Sequence, residues 1–114
     1  MNAEIFIDTI KQVVVEDSIE SVQANLENPP GRKPDQELVE LSRWFKSLDI
    51  KDQSMILKLI RESTQTAVFG FLCVLDGVRA IEDSEKGQLK LFYEKENKSL
   101  LLNDPNENYL HDLL

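Results

Sequence analysis

Residues 67–82 read Ala67-Val68-Phe69-Gly70-Phe71-Leu72-Cys73-Val74-Leu75-Asp76-Gly77-Val78-Arg79-Ala80-Ile81-Glu82, and past Gly87 the chain continues Gln88-Leu89-Lys90-Leu91-Phe92-Tyr93-Glu94. The first stretch is apolar on nearly every side through Leu75, the composition of a helix buried at the centre of a fold. In the second the period falls to two, with Leu89, Leu91 and Tyr93 on one face of a strand. Lys95-Glu96-Asn97-Lys98 forms a polar turn before a second strand at 99–103. The pattern predicts a β-hairpin closed by a loop of about four or five residues. Asp104-Pro105-Asn106-Glu107 has the form of a helix start: an Asp cap, Pro at the first position and Glu at the third. The fold class is therefore mainly α (α+β): a compact helical domain with a central buried helix and one C-terminal β-hairpin followed by a short helix.

Within 67–82 the small residues Ala67, Gly70, Cys73, Gly77 and Ala80 recur at helical spacing. Glycine inside a helix costs about 1 kcal/mol against alanine, so the stripe predicts a closely packed neighbour and a steric clash in Gly77→Leu. Upstream, the helical pattern of 3–26 changes face. Phe6, Ile10, Val13 and Val14 line one side, and Val15, Ile19, Val22 and Leu26 line another. A break near Glu16-Asp17, with Asp17 and Glu20 as a capping box, accounts for the change as two short helices or one sharply bent one. Asn28-Pro29-Pro30-Gly31-Arg32-Lys33-Pro34 cannot continue a helix and reads as an extended surface loop. A helix at 35–47 follows, with Leu38, Leu41, Trp44, Phe45 and Leu48 inward. Asp49 then caps another, with Asp52 in its first turn and Ile56, Leu59 and Ile60 on its buried side. Ser63-Thr64-Gln65-Thr66 competes for backbone hydrogen bonds and marks a possible interruption.

The 114 residues fit a single globular domain, 1–114, with 41% hydrophobic residues to build its core. The net charge of −8 divides as −5 over 1–30, +1 over 31–60 and −4 over 61–114. That sign argues against nucleic acid and against an anionic membrane surface, and favours a basic protein partner. Cys73 is the one cysteine, so no intrachain disulfide forms, and it reads as a small core residue. The start Met1-Asn2-Ala3-Glu4 lacks the basic and apolar segments of a secretion signal, and no apolar run approaches the length of a membrane span. The expected location is cytoplasmic.

Chemistry is sparse. One histidine, His111, and one cysteine make no recognisable metal site, so neither metal nor cofactor is expected. No Ser–His–Asp context and no Gly-rich phosphate loop occurs. His111 reads as a surface or half-buried helix residue. The polar group of interest is Asp76, Arg79 and Glu82 at the end of the apolar run. It reads either as an ion pair of Arg79 with Asp76, Glu82 or Asp83 that fixes a helix end, or as an acid/base pair of Asp76 and Glu82 beside an anion-binding arginine. Arg32 and Lys33 are a basic spot that suits an acidic patch or a phosphate, or are solvated loop charges.

Three stretches together carry a resemblance: Pro29-Pro30-Gly31-Arg32-Lys33-Pro34, Phe71 to Glu82, and Leu102-Asn103-Asp104-Pro105 with Leu110-His111-Asp112-Leu113. The chain resembles, over most of its length, a family of small uncharacterised bacterial proteins, which brings no functional residues with it. In form it is also similar to toxin-neutralising immunity proteins, which are small, acidic and helical. The leading expectation is a non-enzymatic acidic protein-interaction domain, in its sharpest version an immunity protein that covers a basic toxin. One candidate surface is Glu4, Asp8, Glu16, Asp17 and Glu20. The alternative is a small-molecule sensor or minor enzyme with a pocket near Asp76, Arg79 and Glu82. A homodimer joined through the hairpin edge or the small-residue stripe is a third reading.

Overall fold

The computed structural model describes residues 1–114. Its elements are α1 (Ala3–Ile10), a π turn (Lys11–Glu16), α2 (Asp17–Glu27), α3 (Gln36–Ser47), α4 (Ile50–Leu75), β1 (Phe92–Lys95), β2 (Lys98–Leu101) and α5 (Leu110–Leu113). The fold is mainly α with one antiparallel hairpin and a short final helix, the α+β class read from the pattern. The contacts gather into two units, Val15–Gln65 and, from the two ends of the chain, Met1–Val14 with Thr66–Leu114. No helix is long and apolar enough to cross a membrane.

Asn2 starts α1 by accepting the Ile5 N–H at 2.8 Å. The expected break at Glu16-Asp17 does not occur. Glu16 is helical (φ −66°, ψ −44°) and no side chain caps α2 there. The π turn accomplishes what a break was expected to do, because a wider turn shifts the phase of everything after it. Ile7 is the fully buried residue before the turn, and Val15, Ile19 and Leu26 are buried from its end onward.

In the Val15–Gln65 unit, α2 packs on α3. Buried Ser42 donates its hydroxyl to the Leu26 carbonyl at 2.6 Å, satisfying an acceptor at the end of α2. Gln53 does the same for α3, donating to the carbonyls of Phe45 and Leu48 at 3.0 and 3.2 Å. Asp35 accepts the Leu38 N–H and caps α3, and Asp49 accepts the Asp52 N–H, the cap anticipated for α4. The proline segment is a loop, with Gly31 at φ +85°. Leu41, Trp44 and Leu59, expected inside, are at least half exposed or nearly so (51%, 49% and 60%). The buried face of α3 is built from Phe45, as expected, and Ser42, with Leu38 and Leu48 half-buried. Arg61 closes a two-pronged ion pair on Glu16, with nitrogen–oxygen distances of 2.6 and 3.0 Å. Its hydrogen bonds hold the Glu16 carboxyl below the ordinary range, and Glu16 in turn raises Arg61.

In the other unit, Ile7, Leu72 and Leu110 make the core, with Phe6, Val68, Leu75, Leu91 and Leu113 packed around them. Helix α4 passes Ser63–Thr66 without interruption, because Thr64 turns its hydroxyl back onto the Ile60 carbonyl at 2.8 Å. Nor is α4 buried on every side, since Phe71 is 62% exposed. It ends at Leu75 rather than continuing to 82. Gly77 enters the left-handed region (φ +76°), its N–H reaches the Val74 carbonyl at 3.1 Å, and the Val78 N–H reaches the Cys73 carbonyl at 3.0 Å. These two bonds are the glycine-terminated reversal that satisfies the last carbonyls of a helix.

Gly77 is therefore selected by backbone conformation and not by close packing. A Cβ built on it meets nothing within 4 Å. Gly77→Ala and Gly77→Leu are expected to destabilise by a similar amount, about 1–2 kcal/mol, the price of the left-handed conformation for any L-residue. Urea denaturation of both checks this, and a leucine variant far weaker than the alanine one would restore the clash. Gly70 is the glycine where space is used: the Arg79 guanidinium occupies the place a Cβ would take.

The hairpin starts later than its alternating pattern and turns more tightly. Phe92 pairs with Leu101 and Lys95 with Lys98, which leaves only Glu96 and Asn97 in the turn. Both have positive φ, 52° and 64°. This two-residue geometry matches the right-handed twist of the strands, so the longer loop is not needed. Asp104 does not begin a helix. Its carboxylate accepts the Asn106 N–H at 2.9 Å in a local turn, and α5 starts only at Leu110.

Candidate functional site

The side chain of Asp76 lies just past the end of α4 and is 1% exposed. Three donors converge on it: the N–H groups of Leu110 and His111 at 3.0 and 2.9 Å, and His111 Nδ1 at 2.7 Å. The carboxylate thus serves as the anion at the start of α5, supplied from a distant part of the chain. His111 is held between two rings, edge-on to Phe69 (centroids 5.4 Å apart) and stacked on Tyr109 (5.2 Å). With the carboxylate ionised, Nδ1 carries the proton it donates, and Nε2 faces Asp112 Oδ1 at 3.4 Å. An Asp–His pair of this kind orients the imidazole in hydrolytic triads. Here the outer nitrogen faces a second carboxylate in place of a hydroxyl or thiol.

The expected pairing of Asp76 or Glu82 with Arg79 is absent. Asp76 is satisfied by His111 and two amides, and Glu82 accepts the Gly87 N–H at 2.8 Å. A buried carboxylate surrounded by three converging N–H groups gains nothing from desolvating a guanidinium as well. Asp76, Arg79 and Glu82 nevertheless come together as walls of one cavity of about 480 Å³, which Lys86, Leu89 and Asn103 also line. Its frame depends on Asn103, a buried residue that the alternating pattern places in the second strand but that lies just past the end of β2. Asn103 donates to the carbonyls of Leu75 and Leu89 at 2.7 and 2.9 Å and accepts the Leu91 N–H at 2.8 Å. No local pattern announces either the Asn103 hydrogen bonds or the Asp76–His111 pair, since the groups they join lie at least a dozen positions apart.

Arg32 and Lys33 are exposed on the proline loop and do not line this cavity. Of the acidic residues on the first helical segment, Glu16 is held by Arg61 and Asp8 stands 3.6 Å from Lys11. A second concavity, of about 370 Å³, lies on the outer face of α3 between Glu37, Glu40, Leu41 and Trp44. No group of three or more His, Cys, Asp or Glu side chains is placed to hold a metal ion. Comparison with protein-family models, with curated proteins and with solved structures yields no match.

Proposed function

We propose that the protein is a non-enzymatic interaction module that docks a basic protein on the outer face of α3. The observation that carries this reading is the groove of Leu41 and Trp44, each about half exposed, flanked by Glu37 and Glu40. The opposite face of the same helix is spent on packing, through Ser42 and Phe45. An exposed indole beside two carboxylates suits an arginine or lysine, whose cation lies over the ring while the acids neutralise it. Tryptophan is also the residue type that most often anchors a protein interface. The net charge of −8 adds a long-range attraction to such a partner. A toxin-neutralising immunity protein, which covers a basic toxin, is the sharpest form of this reading. The free thiol of Cys73 suits a reducing, cytoplasmic setting.

Trp44 is the single tryptophan, so its fluorescence reports directly on the groove. Titration with an arginine-rich peptide is expected to change that emission at low salt and to lose the effect at high salt. In capture from native extract, a basic partner retained by the wild type should be lost with the Glu37→Lys/Glu40→Lys variant. Equal retention by Trp44→Ala and by the charge-reversed variant would show that the groove is not the docking surface.

A further inference from the structure

The cavity at the end of α4 holds two cations that the structure leaves without ionic partners, Arg79 and Lys86. The two carboxylates on its wall are already engaged. Asp76 faces the amides and imidazole of the α5 start, and Glu82 Oε2 takes the Gly87 N–H. The formal charges on the wall balance, but neither carboxylate is paired with Arg79 or Lys86, so both cations remain free to meet an anionic guest. Val74, Leu75, Ile81 and Leu89 supply an apolar wall beside these cations. The volume, about 480 Å³, falls within the range of small-molecule sites, roughly 300–1,000 Å³. Arg79 has a built seat: its guanidinium rests against α4 where Gly70 lacks a side chain. Arg79 also lines the cavity, and no carboxylate of the protein forms an ion pair with it.

We propose that this cavity binds a small organic anion, a carboxylate or phosphate monoester carrying an apolar body. Arg79 and Lys86 hold the anionic head, and Val74, Leu75, Ile81 and Leu89 cover the body. Arg79 offers a planar fork suited to two oxygens of either head group, and Lys86 offers a point charge. The site is separate from the α3 groove, and neither depends on the other.

Isothermal titration with naphthyl phosphate, naphthoate and neutral naphthol tests this on the intact chain. Both anions should share the naphthol site and bind about tenfold tighter or more, the factor a charge-assisted hydrogen bond carries. The tighter of the two names the head group. The Arg79→Gln/Lys86→Gln variant should lose that advantage and keep the weak naphthol binding, with its melting temperature unchanged. Gly70→Ala keeps both cations but fills the guanidinium's seat, and should weaken both anions several-fold while naphthol is unaffected. Absence of anion binding, equal affinity for naphthol, or an anion preference that survives Arg79→Gln/Lys86→Gln would overturn the assignment.

Discussion

Replacing Asp76 with alanine is expected to lower the unfolding free energy by about 3–5 kcal/mol, a large part of the roughly 5–15 kcal/mol that holds an ordinary domain together. The size follows from what the substitution leaves behind. Two backbone N–H groups and an imidazole N–H lose one shared, buried acceptor, and each unpaired buried donor costs about 1–3 kcal/mol. The four residues of α5 cannot hold a helix by themselves, so the start of that helix should loosen with the carboxylate. His111→Ala removes only one of the three donors and should cost clearly less. Guanidinium denaturation of the two variants and their double mutant gives the coupling between the residues. A loss below about 1 kcal/mol for Asp76→Ala would mean that the carboxylate does not hold α5.

The second large effect is expected at Asn103, where Asn103→Ala should destabilise by about 3 kcal/mol. Its amide joins the end of α4, the 89–91 segment and the strand side of the fold through three hydrogen bonds. Asn103→Asp is the sharper variant. It keeps an oxygen for the Leu91 N–H but turns a second oxygen toward the carbonyls of Leu75 and Leu89, where two donors had been. It should therefore be at least as damaging as alanine, despite being nearly the same shape. Thermal melts of both variants check the order, and an Asp variant as stable as wild type would make the two donated bonds dispensable.

What the sequence discloses and what it conceals divide along the distance between interacting groups. Asp35 and Asp49 cap their helices three residues on, and the proline loop ends a helix by its own backbone chemistry. Such local causes are readable. The extent of α4 was misjudged because Val78 and Ile81 continue the apolar phase past Gly77, while the left-handed glycine that ends the helix leaves the phase undisturbed. The two stripes of the first helical segment were legible, but a wider helical turn produces the same offset as a broken helix. At the candidate site, Asp76, Arg79 and Glu82 do share a cavity. Their pairing was not legible, because His111 lies 35 residues from Asp76 in the chain and nothing local links them. The exposure of Trp44 and Leu41 was missed for a related reason: an apolar stripe on α3 does not say which part of it has a partner.

The core of Ile7, Leu72 and Leu110 has a further consequence, for the order in which the chain folds. Ile7 and Leu110 are separated by about 100 residues, so joining them closes a long loop before any burial repays the entropy. The Val15–Gln65 unit is contiguous and helical, and its packing of α2 on α3 joins neighbours in sequence. Local helical contacts form early, and distant ones form slowly. Folding should therefore begin inside the interval that interrupts the other unit. Early helix formation there shortens the effective loop between Ile7 and Leu110, so the discontinuous unit is completed last.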